Sequence, residues 1–375
     1  MIYLDDNSLV LGAETRTRPG SNRFRVLYLA SGPCRDPIER AQIESLGHRL
    51  DGALSADYGG CIKALAARSD APGRRRFLVA AAGWLYYTRS LFNLVPRYGT
   101  VHVVHVTGAS FWRHCAPVIV LARFFGKRVV LHYRSHLAET ELDSARSLPA
   151  PFLRQCDRIV VSSEHLRYIF AGYGYQADFI GDVSGAPADP SPVITSVQPR
   201  IAVMAPLEKQ ANLIDVIKAF KLVKQKYPRA EMTIVGDGSQ RPFLENLVAA
   251  EHIYGVTFSG AKSSHAAIQQ LDEADLYLNS SSLASVSASM MSALARGMPI
   301  VTTDTGGIAA VIRDRVNGLL VRVNDHVGMA DRIIELIETP DLVAALSEQA
   351  RYTAARYSWE KIRSRWLSFY ERLNP

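Results

Sequence analysis

The chain has 375 residues, 48% apolar and 21% charged, with 25 glycines and 18 prolines; this excludes a disordered, collagenous or mucin-like chain and calls for two domains. The four cysteines (Cys34, Cys61, Cys115, Cys156) form no CxxC pair and read as free thiols in a reducing compartment, with neither a disulfide frame nor a metal site. The formal net charge of +7 resides in residues 1–200, no signal peptide opens the sequence, and the longest apolar run, 77–87, is too short to span a bilayer.

Short apolar runs alternating with helical patterns predict parallel α/β sheets. In the first half the expected strands are Phe24–Ala30, Val101–Val106, Arg128–His132 and Arg158–Val161. Between Asp70 and Glu139 lie ten basic residues and no acidic one, interleaved with aromatic residues. Such a stretch suits an anionic membrane surface, with Arg74, Arg75 and Arg76 as the electrostatic contact and Trp84 and Tyr87 inserting shallowly. A solvated basic face is the plainer reading. Nucleic acid is not expected, because no recognition motif accompanies the charge. Localisation is accordingly read as cytoplasmic, peripheral at the inner face of the membrane.

The proline-rich stretch Ala186–Pro199 reads as a linker. Beyond it, strands are expected at Arg200–Met204, Glu231–Val235, Val256–Phe258, Asp275–Asn279 and Pro299–Thr303. A helix carrying Leu213, Val216, Ile217, Phe220 and Val223 on one face follows the first of these. Further helices are expected at about 240–250, 264–271 and 286–296, the last ended by Gly297 as a left-handed cap. A final helix covers Trp359–Leu373.

The segment from Leu207 to Tyr370 contains, in order, Thr233-Ile-Val-Gly-Asp-Gly-Ser239, Phe258-Ser-Gly260, Ala274-Asp275, Gly297-Met-Pro299, Thr303-Asp-Thr-Gly-Gly307 and Asn317-Gly-Leu-Leu-Val321. These blocks closely resemble the C-terminal half of family 4 glycosyltransferases, retaining enzymes with the GT-B fold. Leu46-Gly-His48, Val103-Val-His105, Val129-Val-Leu-His-Tyr-Arg-Ser135 and Ile159-Val-Val-Ser-Ser163 resemble the acceptor half more loosely. The resemblance implies an α/β, GT-B chain: two doubly wound Rossmann-like domains with an interdomain cleft. Residues 1–190 would bind the acceptor and 200–356 the nucleotide-sugar donor, and 357–375 would return to the N-terminal domain.

The residues independently suggest a diphosphate site. Asn279–Ser292 holds seven serines and runs into a helix start, where exposed amides and hydroxyls favour an anion. Helix capping alone would account for one or two of them. The expected donor contacts are Lys209, Gly236, Asp237, Gly238, Ser285, Ser287, Ser289 and Ser292, though a tight turn explains the two glycines equally well. Where the family places two glutamates eight positions apart, this sequence has Ala284 and Ser292. The family's Arg–Lys pair after the first donor strand is reduced to Lys209. No Asp-x-Asp follows a strand, so neither a metal nor another cofactor is expected. On the acceptor side, His136 and Arg134 are the expected catalytic residues, following a strand as the family's histidine does; a structural histidine is the alternative.

The function expected is transfer of a sugar, with retention, from a nucleotide-diphosphate donor to a lipid-linked or saccharide acceptor. A catalytically silent GT-B protein serving another glycosyltransferase as partner or scaffold is the rival, motivated by the missing glutamates. A nucleotide-sugar epimerase on the same fold is a third reading.

Overall fold

A computed structural model describes residues 24–30, 54–59, 89, 91–93, 95–105, 111, 115–135, 138–144, 150–181, 192–282 and 286–373. They contain two six-stranded parallel sheets. The described residues divide into two compact units, one built from those up to Ile180 together with those from Arg363 onward, the other spanning Gly181–Ile362.

In the first unit β1 (Phe24–Ala30), β2 (Leu54–Gly59), β3 (Thr100–His105), β4 (Arg128–Tyr133), β5 (Arg158–Val161) and β6 (Asp178–Phe179) lie in the order β2-β1-β3-β4-β5-β6. β1 and β5 occupy the expected residues, while β3 begins and ends one residue earlier. β2 and β6 escape sequence reading: Leu-Ser-Ala-Asp-Tyr-Gly has no β-branched run, and β6 has only two residues. The helices are α1 (Ala116–Phe124), α2 (Ala138–Ser144), α3 (Ala150–Leu153) and α4 (Glu164–Gly172). A proline in its first turn starts α1, and the Ser163 hydroxyl caps α4 by accepting the Leu166 N–H. Val101, Val103, Val129 and Leu131, from one face of the sheet, pack with Val118 and Ile119 of α1.

In the second unit β7 (Arg200–Met204), β8 (Glu231–Val235), β9 (Val256–Gly260), β10 (Leu276–Asn279), β11 (Ile300–Thr303) and β12 (Leu319–Val321) take the order β12-β11-β10-β7-β8-β9. Its helices are α5 (Leu213–Lys226), α6 (Arg241–Ala250), α7 (Ser264–Asp272), α8 (Ala288–Ala295), α9 (Gly306–Ala309), α10 (His326–Glu338) and α11 (Pro340–Ala355). α5 buries its expected stripe against Met232, Ile234 and Leu278 of the sheet. α8 ends at Gly297, φ +66°, where the N–H groups of Gly297 and Met298 bond the Leu294 and Ala293 carbonyls. Only a residue comfortable in the left-handed region closes a helix this way. Strand order reverses between β7 and β10, so the carboxyl ends of those two strands flank the natural ligand crevice of such a sheet.

The last helix, α12 (Trp359–Leu373), buries Ile362, Trp366, Phe369, Tyr370 and Leu373 at helical spacing. Trp366 and Tyr370 cover the other face of the first sheet, where His102 of β3 and His132 of β4 point. His102 Nδ1 lies 2.5 Å from the Tyr370 hydroxyl, and both imidazoles sit edge-on or tilted against Trp366, at 5.2 and 5.3 Å. Among the described residues, neither ring nitrogen of buried His132 has a hydrogen-bond partner. Burial lowers the pKa of His102 to about 3. Burial first, then the charges of His102 and Arg134, hold His132 well below its ordinary value of 6.5.

Between pH 6.5 and 3 the unfolded chain therefore binds protons at these histidines that the folded unit refuses, so their contribution to stability is complete above pH 6.5 and declines as the pH falls. Denaturant unfolding against pH should show that decline, and His132→Leu should reduce its slope by up to about 1.4 kcal/mol per pH unit. The same variant should gain about 1 kcal/mol at pH 7, because it removes an unsatisfied buried polar group.

Candidate functional site

The carboxyl edge of the second sheet is organised by the segment 205–212, which follows β7. Its backbone polar groups must find partners away from water. Ala205 donates its N–H to the Val235 carbonyl and Leu207 to that of Asp237, while the Leu207 carbonyl accepts from Gln240. This approach leaves no room for side chains on the facing loop. A Cβ on Gly236, whose φ is +146°, would stand 1.9 Å from the Ala205 oxygen, and one on Gly238 would stand 2.5 Å from that of Leu207. The two glycines thus serve close backbone contact. Beside them Asp237 is exposed, accepting from the Gly238 N–H and lying near Arg241, and Glu208 accepts from the Ser239 hydroxyl at 2.6 Å.

The serine-rich segment after β10 is stitched to the other end of the same loop. Buried Ser280 donates its hydroxyl to the carbonyls of Ala211 (2.7 Å) and Asn212 (3.0 Å), and Ser282 meets the Gln210 carbonyl through both N–H and hydroxyl. Three of the seven serines, Ser280 to Ser282, therefore hold the edge together, since Ser281 also reaches the Gln210 carbonyl, at 3.5 Å. Ser287 is the N-cap of α8, accepting the Met290 N–H at 3.1 Å, and it contacts Ser289, which in turn meets the Tyr277 hydroxyl at 3.0 Å. Ser292 is fully buried, with its hydroxyl on the Ala288 carbonyl of its own helix. Ser285 and Ala284 lie outside the described residues.

Two kinds of polar group at this edge lack partners among the described residues. Among the described residues nothing accepts from the Ala288 and Ser289 amides in the first turn of α8. The ammonium of Lys209, exposed in the 3₁₀ turn Lys209–Ala211, has no partner among them either. Both segments follow strands, β7 and β10, at the carboxyl edge of the sheet. A cation and free helix-start amides together suit an anion with several acceptor oxygens. No group of three or more His, Cys, Asp or Glu among the described residues is arranged to hold a metal ion.

The first unit presents a different cluster at the carboxyl ends of β3 and β4. Glu141 of α2 receives His105 Nε2 at 3.0 Å, the Ser135 hydroxyl at 2.8 Å and the Tyr133 hydroxyl. Burial works to raise the Glu141 pKa, but the bonds from His105, Tyr133 and Ser135 outweigh it and hold the carboxyl below its ordinary 4.5. Sequence reading missed Glu141, since nothing in Ala-Glu-Thr-Glu-Leu distinguishes it from its neighbour Glu139. Arg134 is buried directly after β4, its N–H on the His105 carbonyl. His136 lies outside the described residues, as do Arg74, Arg75, Arg76, Trp84 and Tyr87.

Two substitutions separate tying serines from surface ones. Ser280→Ala strands the Ala211 carbonyl in a buried setting, the Asn212 carbonyl keeping the Asp215 N–H, and should cost about 1–2 kcal/mol by denaturant titration, whereas exposed Ser282→Ala should stay within about 0.5 kcal/mol. In the first unit, Glu141→Gln should lower stability at neutral pH. Because the folded carboxyl is the stronger acid, the wild-type advantage should shrink as the pH falls below 4.5.

Residues 189–353 match the family model described as Glycosyl transferases group 1. Over 158 residues the chain is 31% identical to the putative glycosyltransferase EpsD of Bacillus subtilis, covering 41% of this chain and 40% of that protein. It is 32% identical over 164 residues to the N-acetyl-alpha-D-glucosaminyl L-malate synthase of Bacillus anthracis, covering 43% and 42% respectively. These alignments span about two fifths of the length of each relative. Among solved structures, Anabaena HepE in complex with UDP superposes with a TM-score of 0.69 at 17% identity, covering 93% of this chain and 100% of that one. The chain thus has an α/β fold of the GT-B class, and its second unit carries the glycosyl transferases group 1 match.

Proposed function

We propose that the chain is a retaining, metal-independent glycosyltransferase that moves a sugar from a nucleotide diphosphate to a lipid-linked or saccharide acceptor. The observation that carries this reading is the edge of the second sheet. Unpartnered α8 amides and Lys209 follow the two strands that flank a strand-order reversal, inside the stretch that matches the family model. Anabaena HepE, solved with UDP and with UDP-glucose, and the synthase and transferase relatives favour a nucleotide-sugar donor.

In the reaction proposed, the bond between the sugar C1 and the β-phosphate oxygen breaks. A bond from C1 to the acceptor oxygen forms on the same face of the ring, and the acceptor's hydroxyl proton passes to the departing phosphate. Charge develops on the diphosphate, so donors already aimed at it stabilise the transition state more than the ground state. The Ala288 and Ser289 amides, with Lys209, fill that role. Arg134 and His136 are the acceptor unit's contribution to the transferred sugar. With Ala284 and Ser292 where the family has carboxylates, sugar and ribose hydroxyls are left to neutral partners. This weakens donor binding, each missing charged hydrogen bond being worth about 1.5–3 kcal/mol.

Calorimetry with UDP and a panel of nucleotide sugars, followed by mass spectrometry of acceptor extracts, tests the reading. A bound donor and a product heavier by one sugar residue are expected. Binding of no nucleotide diphosphate would overturn the assignment, and binding without transfer to any acceptor would make the chain a silent partner of another transferase. Lys209→Ala should weaken nucleotide-diphosphate affinity about tenfold while leaving the unfolding midpoint unchanged, because the side chain is exposed.

A further inference from the structure

The first unit carries an aromatic surface that its core does not use. Along α1, Val118, Ile119 and Ala122 face inward, while Val120, Arg123 and Phe124 form one outward face at positions i, i+3 and i+4. Phe124 is 76% exposed and Val120 49%. Phe92, 52% exposed, joins them: its ring meets that of Phe125 at 5.9 Å, and Phe125 meets Phe124 at 5.2 Å. A contiguous patch of this kind costs solubility unless something covers it.

Its surroundings are basic. Arg89, Arg97 and Arg123 are exposed, and Lys127 follows α1 by three residues, all within the stretch that lacks any Asp or Glu. Arg128 donates to the Leu373 carbonyl, which brings the end of α12 and its exposed Glu371 and Arg372 to this edge. Asp157, at the start of β5, is held by Arg123 through two bonds of 2.9 and 3.2 Å, so its charge is matched. Helix α1 runs antiparallel to the strands it connects, so the patch lies at their amino ends, opposite the edge that carries Arg134 and Glu141.

We propose that this face docks on an anionic lipid bilayer, with Phe92, Phe124 and Val120 entering the interfacial layer and Arg89, Arg97 and Lys127 meeting the headgroups. Exposed phenylalanines on an edge where cations predominate suit a surface that is apolar beneath and negative above. A second copy of this chain would bring the same positive rim against itself, which charge complementarity disfavours. Docking by this edge leaves the carboxyl ends of the first sheet facing away from the bilayer. It does not depend on the transferase reading.

The test is co-sedimentation of the full chain with phosphatidylglycerol–phosphatidylcholine vesicles and with pure phosphatidylcholine vesicles. Variants are Phe92→Ser/Phe124→Ser and Arg89→Ser/Arg97→Ser/Lys127→Ser, with circular dichroism confirming the fold. Binding is expected to anionic vesicles only. It should drop about tenfold or more in the phenylalanine variant and on the order of a hundredfold in the basic variant, and it should weaken as salt shortens the Debye length. Absence of binding to anionic vesicles, equal binding to both vesicle types, or retention of wild-type binding by either variant would overturn the proposal. So would a dimer in light scattering that disappears in the phenylalanine variant while vesicles fail to bind, which would assign the face to a second copy.

Discussion

Much of the carboxyl edge of the second unit's sheet depends on one constraint: the segment following β7 carries backbone N–H and carbonyl groups that must be satisfied beside a packed core. The sequence meets that demand from two directions. On one side Gly236 and Gly238 lack side chains, so β8's loop comes within bonding distance of Ala205 and Leu207. On the other, Ser280 to Ser282 supply hydroxyl and amide donors to the carbonyls of Gln210, Ala211 and Asn212. Both solutions use small residues, because a buried unpaired carbonyl costs more than the entropy of fixing a short side chain. The unpartnered α8 amides and Lys209 stand on segments next to this network, and under the proposed function donors positioned in advance would contribute to transition-state stabilisation.

The first unit is built on a different economy. Its central strands β3 and β4 are buried on both faces, yet they carry His102, His105 and His132 in core positions. His105 is answered by Glu141, which also gathers Tyr133 and Ser135 into a network that ties α2 to the carboxyl ends of two strands. His102 is answered by Tyr370. His132 is packed by aromatic rings with no polar partner for its nitrogens, a local cost borne by the surrounding apolar burial. In consequence the seat of α12 on this sheet combines aromatic packing with neutral imidazoles, an arrangement that only holds while those rings stay uncharged.

Much of the architecture was legible in the residues because burial and periodicity leave a local trace. The strands β1, β5, β7 and β8 coincide with their apolar runs, and α5 and α12 with theirs, since a two-sided core demands continuous apolar strands and a one-sided helix an apolar stripe. Gly297 announced the end of α8 by the same logic, a left-handed position following an apolar period. β2 and β6 left no such trace, being polar or short and stabilised by the neighbour each pairs with.

The sequence by itself determined most of the order of the α/β elements, the presence of a serine-rich helix start and a glycine loop after two of the strands, and the concentration of positive charge in the first half. Tertiary structure alone decided what each hydroxyl does. Seven serines in a row of fourteen residues look alike as letters, but three bind backbone across a crevice, one caps α8, one answers Tyr277 and one folds back onto its own helix. It also decided that Glu141, indistinct in its own segment, becomes the acceptor for three side chains. The reason is physical: a residue's period is set by its neighbours in the chain, whereas a polar group's partner is set by what the fold brings within 3 Å.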